Sequence, residues 1–194
     1  MPNRAAIVTG ASSGIGLAIA RMLGEEGHSL TLAARRPEKL TAAAEELRGA
    51  GFDVQEVAGN MADEDTIKGV VAAHRERFGR LDVLVNNAGV GIGAAAGEQQ
   101  TKRVDLQLAV NLRAIVLFYR ESVELLRAAA AEHRNALVVN TSAGLRGDAD
   151  DRVRPGARPG RGHDPGGGRR GSRAVRAQDV AELRDRRDRF PAAR

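Results

Sequence analysis

Residues 5–20, Ala-Ala-Ile-Val-Thr-Gly-Ala-Ser-Ser-Gly-Ile-Gly-Leu-Ala-Ile-Ala, pass from a short apolar strand into an apolar-periodic helix through a turn with glycines at Gly10, Gly14 and Gly16. Without a Cβ, glycine lets the backbone turn tightly and lets an anion come close. The N–H groups in the first turn of the following helix have no partner within the helix and point at that anion. Gly10, Ser12, Ser13, Gly14, Ile15 and Gly16 therefore read as a cradle for a pyrophosphate. The spacing Gly-x-x-x-Gly-x-Gly differs from the commoner Gly-x-Gly-x-x-Gly, but the strand before and the helix after are the context that fingerprint requires.

A second segment narrows the reading. Leu81-Asp82-Val83-Leu84-Val85 has the composition of a buried parallel strand and runs directly into Asn86-Asn87-Ala88-Gly89. The glycine turn followed by Asn-Asn-Ala-Gly resembles the short-chain dehydrogenase/reductase family over residues 4–144. The resemblance implies an α/β, doubly wound, Rossmann-like parallel sheet that binds a nicotinamide dinucleotide at the carboxyl ends of its strands. It also implies that Asn60 and Met61, where the family often has Asp-Val, lie against the adenine, and that Asn87, Ala88 and Gly89 pass beside the adenosine ribose. A homodimer or homotetramer would be the family's assembly.

The apolar pattern agrees with that architecture. Strands are expected at residues 4–8, 28–34, 53–57, 81–86 and 136–140, and helices at 14–26, 37–51, 63–78 and 101–131. Right-handed crossovers then give a parallel sheet of about five strands in the order 3-2-1-4-5. Pro37 suits the first turn of a helix, where its missing N–H costs nothing, and Asp63 suits a helix N-terminus.

The end of the second strand bears on which dinucleotide is favoured. A preference for the unphosphorylated coenzyme usually places an acid there to accept hydrogen bonds from the ribose diol, whereas this strand ends Ala34-Arg35-Arg36. Guanidinium groups bind phosphate bidentately, so Arg35, with Arg36 behind it, is expected to hold the 2′-phosphate of NADP(H) in preference to NAD(H).

The resemblance implies four side chains for the chemistry. Asn111 matches the asparagine that holds a water of the proton relay, and Ser142 is the nearest match to the serine that binds the substrate carbonyl, although the usual Asn-x-x-Ser spacing from Asn140 falls on Ala143. The remaining pair, Tyr-x-x-x-Lys, is absent from this sequence. Its lysine would lower the pKa of the phenol that donates the proton. The only tyrosine, Tyr119, is expected to pack in the long helix among Ile115, Leu117 and Phe118. The reading is thus an NADP(H)-dependent oxidoreductase acting on a small-molecule carbonyl or alcohol, impaired in this chain. A nucleotide-binding pseudoenzyme and an interaction protein using a basic tail stand as alternatives.

The chain divides in character near residue 146. Residues 1–146, the NAD(P)-binding domain, carry 17 Lys and Arg against 17 Asp and Glu, so the net charge of +5 falls entirely on residues 147–194. That basic, irregular, Arg/Gly/Pro-rich tail has too few large apolar side chains to offset its ordering entropy, and disorder is expected, with a short helix at 177–190 as the alternative. Interleaved aspartates and the scarcity of aromatics argue against a nucleic-acid partner. Such residues have GC-rich codons, and a change of reading frame near residues 142–147 would produce this composition. With its helix and strands replaced, the fifth strand would be left as an apolar edge. No cysteine is present and the four histidines lack ligand spacing, so no metal site is expected. The histidines are expected at the surface or partly buried. No apolar run spans a membrane and the first residues lead straight into a strand, from which a cytoplasmic location follows.

Overall fold

The computed structural model describes residues 4–91 and 98–142. The chain divides after Ser142, and the described residues belong to the first of its two units. The tail at 147–194, its helix at 177–190 and the Asn-x-x-Ser position at Ala143 lie outside them.

Five strands, β1 (Arg4–Thr9), β2 (His28–Ala34), β3 (Val54–Ala58), β4 (Val83–Asn86) and β5 (Leu137–Asn140), form one sheet in the order β3-β2-β1-β4-β5. Every pairing is parallel, with Val8 opposite both Leu32 and Val85. This is the doubly wound order expected from the alternation of apolar runs. The central strands are apolar at successive positions because both faces are covered. On one face Ala6 and Val8 pack with Leu23 of α1 (Gly14–Glu25) and with Leu40 and Leu47 of α2 (Pro37–Gly49). On the other, Ile7 and Leu84 pack with Ile67 and Val70 of α3 (Glu64–Phe78) and with Phe118 of α5 (Ala114–His133). The chain reverses its direction of travel across the sheet at β1. Loops after β1 and β4 therefore diverge and leave a crevice at their carboxyl ends.

Local signals set the helix starts. Pro37 occupies the first turn of α2, and Asp63 caps α3 by accepting the Asp65 N–H and the Thr66 hydroxyl at 3.2 Å each. The long helix expected over 101–131 is in fact interrupted. It consists of α4 (Thr101–Leu108), a π-helical turn at Ala109–Arg113 and α5. One extra residue in a turn leaves the apolar periodicity on either side intact, so the pattern carries no warning of it. At the other end of the sheet order β5 pairs, among the described residues, only with β4, and Leu137 is 44 % exposed.

Two histidines depart from expectation by being buried, His28 and His74. The Nε2–H of His74 donates to the Arg80 carbonyl at 2.7 Å, and its Nδ1 accepts the Thr31 hydroxyl at 2.7 Å. That arrangement fixes the neutral ring, and burial pushes its pKa down to about 4 from 6.5. Burial lowers His28 as well. Between pH 6.5 and 4 the unfolded chain binds a proton that the folded chain refuses, so stability is full above that window and falls as pH drops through it. The shift at His74 corresponds to about 3 kcal/mol across the window, roughly 2 of them by pH 5. Urea unfolding at pH 7.5 and pH 5 should resolve this loss, and His74→Gln should flatten it. Equal midpoints for the wild type at the two pH values would refute the assignment.

Candidate functional site

The two sequence motifs meet at the carboxyl ends of β1 and β4. Thr9, 1 % exposed, is the fastener: its hydroxyl donates to the Val85 carbonyl at 3.3 Å and accepts the N–H groups of Asn87 at 3.0 Å and Ala88 at 2.9 Å. In return the Asn87 side-chain amide donates to the carbonyls of Thr9 at 3.2 Å and Gly10 at 3.4 Å. The glycine turn and the Asn-Asn-Ala-Gly segment are thereby locked into one surface. Gly10 makes this closeness possible, because its φ is +66° and a Cβ there would lie 2.9 Å from the Ala88 Cα.

A cleft of about 370 Å³ opens above that surface. Gly10, Ser12 and Ile15 line it from the glycine turn, Ala34, Arg35 and Arg36 from the end of β2, and Asn60 and Met61 from the loop after β3. Asn87, Ala88, Gly89 and Val90 form the side beyond β4, and Leu106 and Val110 close it from the long helix. Of the residues expected around a dinucleotide, Ser13 and Gly14 are exposed at the start of α1, and Gly16 is buried beneath the turn against the Gly10 carbonyl.

The donors in this cleft are uncommitted. Ser13, the N-cap of α1, makes no side-chain capping bond, and the first turn of the helix holds no acidic residue. The side chains of Arg35 and Arg36 are exposed and make no ion pair or hydrogen bond among the described residues. Amides at a helix N-terminus beside two unpaired guanidinium groups suit a ligand with phosphates at two positions. The apolar contribution of Met61, Leu106 and Val110 suits a flat ring beside them. A nicotinamide dinucleotide phosphate therefore fits the residues present.

Asn111 lies in the π turn, and its side chain grips the backbone of Val90: Oδ1 accepts the Val90 N–H and Nδ2 donates to the Val90 carbonyl, both at 2.9 Å. Ser142 is exposed, two residues beyond β5, and neither lines the cleft nor bonds to Asn111. Tyr119 departs from its expected packing role, being 51 % exposed, while Leu117 and Phe118 take the core positions. Sequence reasoning overlooked Val90, Leu106 and Val110 as lining residues. Leu106 in α4 and Val110 in the π turn sit four apart, a spacing that puts apolar residues on one helix face without saying which cavity they line.

Among the described residues no cluster of metal-ligating side chains occurs and no helix is long and apolar enough to cross a membrane. The family model for short chain dehydrogenase matches residues 4–148. The chain is 44% identical over 89 residues to the 3-oxoacyl-[acyl-carrier-protein] reductase FabG of Staphylococcus aureus, covering 45% of this chain and 36% of that one. It is similar to the structure of L-sorbose reductase from Gluconobacter frateurii complexed with NADPH and L-sorbose, with 37% identity, a TM-score of 0.63 and coverage of 65% and 48% of the two chains. A short chain dehydrogenase/reductase from Burkholderia phymatum in complex with NAD matches with 28% identity, a TM-score of 0.68 and coverage of 73% and 49%. The chain thus spans less than half the length of each of these proteins.

Proposed function

Because the chain belongs to the short chain dehydrogenase family of oxidoreductases, we propose that its cleft binds NADP(H) in preference to NAD(H) and serves hydride transfer to or from a small-molecule carbonyl or secondary alcohol. The observation that carries this reading is the pair of guanidinium groups, Arg35 and Arg36, without a partner among the described residues, at the end of β2 where an NAD-selective site would have an acid. Related proteins bound to NADPH and to NAD are both known, so the choice between coenzymes rests on this chain's own residues.

In this reading the amides of Ser13, Gly14 and Ile15 hold the pyrophosphate, Arg35 and Arg36 the 2′-phosphate, and Asn60 and Met61 the adenine. Asn87, Ala88 and Gly89 flank the ribose. When bound, the nicotinamide supplies the hydride. Asn111 fixes the wall at Val90 and holds a relay water; Ser142, the nearest match to the serine that takes the substrate carbonyl, stands outside the cleft. These 194 residues contain one tyrosine, Tyr119, and no Tyr-x-x-x-Lys, so the family's general acid has no counterpart among them. Loss of the general acid alone costs roughly 10²- to 10⁴-fold in rate, so coenzyme binding without appreciable turnover is the expected behaviour. By resemblance to 3-oxoacyl reductases, β-keto thioesters are the first substrates to try.

Fluorescence titration with NADPH and NADH tests the assignment. Arg35→Ala should weaken NADPH by about tenfold or more and NADH by little, since a charge-assisted phosphate contact contributes about 1.5–3 kcal/mol. Equal losses for the two coenzymes would remove Arg35 from the site. Brisk reduction of a ketone by the same protein would overturn the reading of a missing acid.

A further inference from the structure

The π turn at Ala109–Arg113 touches both walls of the cleft. Val110 lines the cavity and Asn111 grips Val90 on the β4 side. Two residues on, Arg113 Nη2 donates to the carbonyl of Ala62, in the loop after β3. That loop supplies the opposite wall through Asn60 and Met61. Its other hydrogen bonds are largely internal: Asn60 Oδ1 accepts the Ala62 N–H at 3.1 Å, and the Asp63 N–H donates to the Asn60 carbonyl at 2.9 Å. Met61, 4 % exposed, belongs to the same core cluster as Ala114, the residue after Arg113.

Removing one residue from the turn would rotate everything beyond it by about 100°. Regular α-helix would therefore carry Arg113 away from Ala62 while Asn111 stayed on Val90. The inserted residue lets neighbouring positions of one helix hold two loops that approach from different strands.

From this juxtaposition we propose that Arg113 is a positioning residue for the coenzyme, fixing the Asn60–Ala62 wall at the separation set by the π turn. It touches no ligand itself and acts through the Ala62 carbonyl. The proposal rests on the reading of the cleft as a nicotinamide coenzyme site, and one of its consequences is independent of that reading. Releasing the guanidinium should loosen the loop whether or not anything binds.

The test compares the full-length wild type with Arg113→Met and Arg113→Lys. Amide hydrogen exchange of a peptide spanning residues 60–66, measured without ligand, should speed up in the Met variant and return toward the wild-type rate in the Lys variant. NADPH titration should give a Kd raised about fivefold to tenfold by Met and largely restored by Lys, with the thermal midpoint little changed. Wild-type exchange and affinity in the Met variant, or failure of Lys to restore either, overturns the proposal. If the wild type itself binds neither coenzyme, the reading of the cleft fails, while the exchange comparison still decides whether Arg113 holds the loop.

Discussion

Replacing Asp82 by alanine should cost about 3 kcal/mol of stability, a large share of the roughly 5–15 that a domain of this kind possesses. Asp82 is 4 % exposed and sits at the opposite end of the sheet from the cleft. Its Oδ2 accepts the Ala5 N–H and Arg80 Nε–H, and its Oδ1 accepts Arg80 Nη2–H, each at 2.9 Å. His133 Nδ1 lies 2.9 Å from Oδ1 and 2.8 Å from Arg80 Nη2; protonated it donates to the carboxylate, and unprotonated it accepts from the guanidinium. One carboxylate thus joins the start of β1, the approach to β4 and the end of α5. Removal would strand a largely buried guanidinium, whose remaining carboxylate partner is Glu132 at the surface, and would orphan a buried backbone N–H.

Burial by itself would raise the Asp82 carboxyl, but hydrogen bonds from Arg80, the Ala5 N–H and His133 outweigh it and hold the group at about 2. Its contribution is therefore complete above pH 3.8 and disappears as pH falls toward 2, below the window in which His74 acts. Urea unfolding of Asp82→Ala and Asp82→Asn near pH 7 measures the loss. Asparagine keeps the shape and part of the hydrogen bonding, so it should fall between alanine and wild type. A loss below about 1 kcal/mol for alanine would reduce the cluster to a surface ornament.

The order of the sheet was legible because continuous apolar runs and the helices between them leave few topologies once crossovers are right-handed. Asp63 as a helix start and Pro37 in a first turn were legible for the same reason, since each acts within its own few residues. What the sequence concealed depends on contacts between distant residues. Thr9 looked like the end of a strand, yet its hydroxyl serves three backbone groups across the sheet. The π turn keeps the helical period on either side and shifts only its phase by one residue, which a reading by period does not register. His74 and Tyr119 exchange the expected roles, the polar ring buried and the aromatic one half exposed, because a hydroxyl and a carbonyl happen to meet both ring nitrogens of His74. In the cleft, motif residues were readable as chemistry, whereas Leu106 and Val110 were readable only as apolar.

Gly16→Ala is expected to be the most damaging single change to coenzyme binding. A Cβ at Gly16 would lie 2.4 Å from the Gly10 carbonyl oxygen, 2.5 Å from Asn87 Nδ2 and 2.9 Å from the Gly10 carbonyl carbon. Ordinary contact begins near 3.4 Å, and two of the three atoms are backbone. The turn must therefore retreat by about 1 Å, and it cannot do so alone, since the Asn87 amide that binds Thr9 and Gly10 stands in the same path. Overpacking of this kind costs about 1–3 kcal/mol in stability. Binding should suffer more, because the amides at the start of α1 and the wall at Asn87 and Ala88 would shift relative to each other, and loss of even one charge-assisted phosphate contact of about 1.5–3 kcal/mol weakens NADPH by about tenfold to a hundredfold. Gly69→Ala is the control: this exposed position in α3 has open space around it, and alanine there should raise stability by about 0.5–1 kcal/mol without touching affinity. Urea unfolding and NADPH titration on the three proteins separate the two effects. If Gly16→Ala remains folded and binds NADPH as tightly as the wild type, the glycine turn is not where the pyrophosphate rests.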